Sequence, residues 1–115
     1  MPLIKINANV DLPENQQQAL LAALSRTLAE VTHKPESYCM AVFTRAAVLF
    51  AGQPGPAAFV DVRGIGGLAR EVNQQLTEHI GAQLKKTLGV PPNRLYLTFT
   101  EVPADRWGWN GKLFG

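Results

Sequence analysis

An internal repeat restricts the fold of this chain more than any other feature. Moving the sequence along by about 56 positions lays Leu3, Ile4 and Ile6 on Phe59, Val60 and Val62. The same shift lays Leu20, Leu24 and Leu28 on Leu76, Ile80 and Leu84, and Pro35 on Pro91. Self-similarity at a fixed period marks one supersecondary unit used twice. Each copy reads as strand, long helix, strand, so the chain is predicted to hold two β-α-β units. Strands alternating with helices imply parallel pairing within each unit.

The boundaries follow from local chemistry. Leu3, Ile4 and Ile6, with Val10, predict a first strand starting at the extreme N-terminus. Leu12-Pro13-Glu14 opens the first helix, with Asp11 as its candidate cap. Leu20, Leu24, Leu28 and Val31 then recur at helical spacing. Lys34-Pro35 closes that helix, because proline disfavours helix in the residue before it. Tyr38 to Thr44 predicts the second strand, Ala46 to Phe50 a further short one, and Gly52 to Pro56 a loop. In the second unit, Ala58 to Arg63 is a strand and Gly64 to Gly67 a turn. Val72, Leu76, Ile80, Leu84 and Leu88 form the stripe of a helix that Pro91-Pro92 ends, and Leu95 to Thr100 is the last main strand.

The expected fold class is therefore α/β, a two-layer sandwich of four main strands backed by two helices. With 115 residues the chain is one domain, in halves of about 1–56 and 57–115. One sheet face takes the helices, so the other face and the edges need cover. Charged residues are 17% of the chain, below the usual ~25%, which also points to hidden surface and association. The tail from Arg106 to Gly115 carries Trp107, Trp109 and Phe114, a heavy aromatic load for a solvated terminus.

Several partner classes are set aside. The net charge is +2 and only Lys85-Lys86 are adjacent, so no nucleic-acid footprint is expected. No apolar run approaches the ~18 residues of a membrane span. Cys39 is the only cysteine, and His33 and His79 stand far apart, so neither a disulfide nor a metal site is expected. No basic region precedes an apolar run at the N-terminus, which makes the cytoplasm the expected compartment.

Met1-Pro2 is the first candidate for chemistry. Removal of the methionine leaves Pro2 with a free secondary amine, which has a basic lone pair and a fixed ring. In an apolar pocket its charged form is disfavoured and its pKa falls, so it is neutral and able to act as a base near physiological pH. Many chains begin Met-Pro for no chemical reason, but a strand starting there fixes the terminus in the fold. Lys34 either complements the helix dipole or holds an anionic substrate. Gly64-Ile65-Gly66-Gly67-Leu68-Ala69 fits the dinucleotide fingerprint G-x-G-x-x-A. The chain beyond it supplies one helix, one main strand and a tail, too little for a doubly wound nucleotide domain, so no cofactor is expected. The same turn offers backbone N–H groups at a helix start, which suits a carboxylate. Tyr38, Tyr96, Trp107, Trp109 and Phe114 are, taken alone, expected mostly in the core.

Met1-Pro2 opening a strand, Lys34-Pro35 after the first helix, Gly64 to Gly67 before the second, and Gly108-Trp109-Asn110-Gly111 with Phe114 at the end are specific in combination. Over its whole length the chain resembles the macrophage migration inhibitory factor family. The resemblance implies a homotrimer whose sheets enclose a central channel, with three active sites at subunit interfaces. It implies Pro2 as base, Lys34 and the Ile65 backbone as contacts to a substrate carboxylate, and Tyr96 lent by the neighbouring subunit. It also implies Tyr38, Trp107 and Phe114 as apolar wall and rim. The activity implied is keto–enol tautomerisation of a small α-keto acid such as phenylpyruvate.

The chain departs from the better-known vertebrate members at three places. Thr98 stands where they have an asparagine of the pocket. Trp107 replaces a smaller aliphatic residue, which narrows the mouth. Ala57 to Val60 replaces a Cys-x-x-Cys, which excludes thiol oxidoreductase activity. Two other readings keep the fold. One is a decarboxylase or dehalogenase of the wider tautomerase superfamily, using arginines such as Arg63 or Arg70. The other is a cytokine-like binder of a protein receptor with a vestigial site, from a family that leaves cells without a signal peptide.

Overall fold

The strands form as the alternation of side chains demands. In the computed structural model, which describes residues 1–115, β1 spans Leu3–Ala8 and β3 spans Ala58–Gly64. Ile4, Ile6 and Ala8 point to one face with Ala58, Val60 and Val62, and all six are buried. The two helices, α1 over Glu14–Thr32 and α2 over Arg70–Leu88, cover that face. Leu20, Leu24 and Leu28 of α1 and Leu76, Ile80 and Leu84 of α2 meet those strand residues in one hydrophobic core. Burial of each such side chain stabilises by roughly 1.5–3 kcal/mol before chain entropy is counted.

The remaining main strands are β2, Met40–Arg45, and β4, Leu95–Glu101. The sheet order is β2-β1-β3-β4. β1 pairs β2 in parallel and β3 pairs β4 in parallel, as each β-α-β unit requires. β1 and β3 pair antiparallel, with Leu3 opposite Arg63 and Ile6 opposite Val60, so the two units meet about a pseudo-two-fold axis. Across the helix pair, Gln83 Nε2 donates to Thr27 Oγ1 at 2.7 Å, and these too are equivalent positions of the repeat. The second sheet face carries Leu3, Lys5, Met40, Phe59, Arg63, Tyr96 and Thr98, and no element of this chain covers it.

Four local expectations are corrected. Ala46 to Phe50 is not a strand: Ala46 N–H bonds the Ala8 carbonyl at 2.9 Å and Asn9 Nδ2 donates to the Val48 carbonyl at 3.3 Å, but these isolated bonds build no ladder, and only a Phe50–Gln53 bridge forms there. Asp11 does not cap α1. Pro13 is the N-cap without a side-chain bond, and the Asp11 carboxylate accepts from Arg45 Nε at 3.1 Å. Gly89, in the left-handed region at φ 68°, ends α2 before Pro91 is reached. Tyr38 belongs to a 3-10 turn, Glu36–Tyr38, because Pro35 starts a tight bend in which Tyr38 N–H bonds the Pro35 carbonyl at 3.1 Å.

The tail is a hairpin of β5, Gly108–Trp109, and β6, Lys112–Leu113. Asn110 and Gly111 turn it with φ of 52° and 77°, the left-handed pair that a two-residue hairpin needs. Phe114 N–H bonds the Trp107 carbonyl at 3.1 Å, which extends the pairing by one step at the base of the hairpin.

Candidate functional site

The N-terminus is tied down by the sheet. The Pro2 carbonyl accepts from Met40 N–H at 3.1 Å, so β2 holds the residue before β1 in place, and Pro2 is buried. Met1 opens into a cavity of about 370 Å³ lined by Lys34, Pro35, Tyr38, Ile65, Ala104 and Phe114. It also lines a neighbouring space of about 200 Å³ with Tyr38, Cys39, Trp107, Trp109 and Phe114. Five of the expected site residues, Lys34, Tyr38, Ile65, Trp107 and Phe114, thus gather around the N-terminus with Pro2 beneath.

Each arrives from a different element. His33, at φ 56°, ends α1 in the left-handed region, and Lys34 N–H bonds back to the Ala29 carbonyl at 3.1 Å. That cap turns Lys34 toward the Gly66-Gly67 turn. A Cβ added at Gly67 would lie 3.3 Å from Lys34 Cε and 3.9 Å from its Nζ. Gly67 itself has φ 77°, a conformation that costs a side chain roughly 1–2 kcal/mol. Gly67→Ala should therefore destabilise the fold by more than Gly89→Ala. Gly89 also has a positive φ, but an added Cβ there meets nothing within 4 Å. Urea unfolding of both variants checks this, with equal losses as the contrary result.

Tyr38 anchors the aromatic side. Its ring meets Trp109 edge-on at 5.3 Å and Phe114 edge-on at 6.2 Å, while Trp109 and Phe114 stack at 6.0 Å. The sequence marks Trp109 as part of the tail motif without a place in the site, and the structure puts it in this cluster. Asn110-Gly111, the hairpin dipeptide that folds Trp109 back, was the available signal.

The electrostatics favour a neutral amine. Burial lowers the pKa of the N-terminal ammonium from its ordinary value, and the nearby Lys34 charge lowers it further, against a smaller opposing effect of Cys39. Cys39 is pushed the other way, by its own burial and by Glu36, so its thiol stays protonated. The turn expected to present amides to a carboxylate already uses one internally. Leu68 N–H donates to Glu101 Oε2 at 3.3 Å, an acceptor 33 residues away.

Tyr96 and Thr98 do not join the cavity of their own chain. Both lie on β4, at the opposite edge of the sheet from β2, and Tyr96 is 66% exposed with its ring against Phe50 at 4.9 Å. Arg63 points to the uncovered sheet face, where its Nε donates to Asp61 Oδ2 at 3.1 Å.

Comparison with known proteins is consistent throughout. The family model described as macrophage migration inhibitory factor (MIF) matches residues 1–115. A macrophage migration inhibitory factor homolog of Trichinella spiralis is 32% identical over 118 residues, covering 99% of this chain and 100% of its own. One from Brugia malayi is 32% identical over 117 residues, covering 100% of each. The crystal structure of a homologue from Prochlorococcus marinus superposes with a TM-score of 0.93 at 38% identity, covering 98% of this chain and 99% of its own.

Proposed function

The chain belongs to the macrophage migration inhibitory factor family of the tautomerase superfamily, and on that premise we propose that it is a keto–enol tautomerase of phenylpyruvate-type α-keto acids, with Pro2 as general base once Met1 is removed. The observation that carries this reading is the N-terminal amine in an apolar cavity beside Lys34, with its pKa lowered by burial and by that charge. The amine seen there is that of Met1, one residue outside Pro2. Pro2 lies deeper, so its own amine would be desolvated more strongly.

In this mechanism Lys34 and the Ile65 backbone hold the substrate carboxylate. Tyr38, Trp107 and Phe114 enclose its apolar body. The neutral Pro2 nitrogen takes a proton from the carbon next to the ketone. That C–H pair becomes the C=C bond, the C=O π pair moves to oxygen, and Pro2 returns the proton to that oxygen. No redox change occurs, so no cofactor is called for. Holding the keto acid in one orientation contributes more than any single contact.

The reading includes a homotrimer in which a neighbouring subunit lends Tyr96 and Thr98. The uncovered sheet face supports this, as does the Ala46 to Phe50 segment, which joins no strand ladder in its own chain. Light scattering should give three times the 12.5 kDa protomer mass, and a monomer at all concentrations would contradict it. Lys34→Ala should raise KM for phenylpyruvate about tenfold and change KM for its ester far less. Equal losses on acid and ester would leave Lys34 only a helix-end role.

A further inference from the structure

A third cavity, of about 280 Å³, shares Trp107 with the smaller of the two spaces around the N-terminus and carries two cationic side chains. Leu3, Val102 and Trp107 form its apolar walls, and Arg63 and Arg106 are the only charged residues that line it. Trp107 also lines the smaller space that Met1 enters, so this residue is common to both. Leu3 follows Pro2 directly and is the register partner of Arg63, which places this cavity one residue from the proposed base. Lys34 lines the cavity that Met1 enters, and Arg63 lines the one that Leu3 also lines, so each of the two spaces carries cationic charge and is walled in part by a chain neighbour of Pro2.

The two guanidiniums retain unused donors. Arg63 Nη2 lies 3.0 Å from Asp61 Oδ2, the oxygen that also takes its Nε–H, which leaves Nη1 unpaired. Arg106 pairs with no carboxylate of this chain. Asp61 offsets part of the Arg63 charge, whereas that of Arg106 has no partner, so an anion in this cavity would gain the Arg106 charge and the free Nη1 donor of Arg63. Guanidinium forks match carboxylates in shape, and the indole offers a flat wall to the group that carries one.

On the tautomerase reading above, we propose that the preferred substrate is a dicarboxylate. Its α-keto carboxylate lies at Lys34, a flat apolar body lies along Trp107, and a second carboxylate lies between Arg63 and Arg106. The reaction is unchanged, since the distal carboxylate binds and does not react.

The test compares 4-carboxyphenylpyruvate with phenylpyruvate on the intact, Met1-free protein. The ratio of kcat/KM, diacid over monoacid, should be about ten or more, and Arg106→Gln should lower that ratio about tenfold. In parallel, calorimetry compares terephthalate with benzoate, neither of which can enolise. Terephthalate should bind about tenfold tighter, with the preference lost in Arg106→Gln. A ratio near one in both assays, or a preference that survives Arg106→Gln, overturns the proposal. Absence of turnover on either keto acid with the terephthalate preference intact would support the two-arginine site and overturn the tautomerase reading alone.

Discussion

Retention of Met1 is expected to lower kcat on phenylpyruvate by about 10²–10⁴ relative to the chain that starts at Pro2, the range a positioned general base contributes. Retained Met1 converts the Pro2 nitrogen to an amide, whose lone pair is delocalised and not basic. The amine of Met1 itself sits one residue too far out to reach the same carbon. Folding should not change, because β2 grips the Pro2 carbonyl, which both forms possess. Pro2→Gly should fall between them, since it keeps a primary amine and loses the ring that orients it. Circular dichroism and light scattering on all forms would separate loss of chemistry from loss of structure.

The second large effect concerns the core under the site. Leu24 of α1 and Ile80 of α2 are equivalent positions of the repeat, 0% and 1% exposed, facing the same sheet. Leu24→Ala and Ile80→Ala should each cost about 2–5 kcal/mol, through lost transfer energy and the cavity left behind. Their losses should be similar to each other, since the pseudo-two-fold axis gives them matching surroundings. Urea unfolding at one fixed protomer concentration is the measurement, because association makes apparent stability concentration-dependent. A loss below about 1 kcal/mol at either position would mean that the core repacks there.

These core residues are also where the sequence was most readable. A leucine stripe at helical spacing has one good solution, and its repetition 56 positions later predicted both units, their parallel pairs and the two-layer class. The orientation of Arg63 was open to the same logic: Val60 and Val62 face the helices, so the pleat sends Asp61 and Arg63 to the other face. What could not be read depends on contacts distant in sequence. Glu101 meets Leu68 only because β4 runs beside β3. Asp11 is a plausible cap until folding offers it Arg45. The apolar run Ala46 to Phe50 has strand composition, but a strand needs a continuous ladder, and this chain supplies only single hydrogen bonds at Ala46, Val48 and Phe50. In the site, Lys34, Tyr38, Ile65, Trp107 and Phe114 were found through a resemblance, since the spacing between them carries no signal. Trp109 stands in the quoted tail motif, but its place beside Tyr38 depends on the Asn110-Gly111 turn that folds it back.

The central claim is that a desolvated N-terminal amine performs the proton transfer, and the pH dependence of kcat/KM on phenylpyruvate tests it most directly. The sign follows from the causes. Burial and the Lys34 charge both disfavour the protonated amine, so the neutral base persists to lower pH than usual. Activity of the Pro2-terminated chain should rise with pH through a pKa below the roughly 7.7–8.0 of an ordinary terminal amine. Lys34→Ala should move that limb to higher pH. A profile without such a limb, or equal rates from the Pro2-terminated and Met1-retaining chains, would contradict the account.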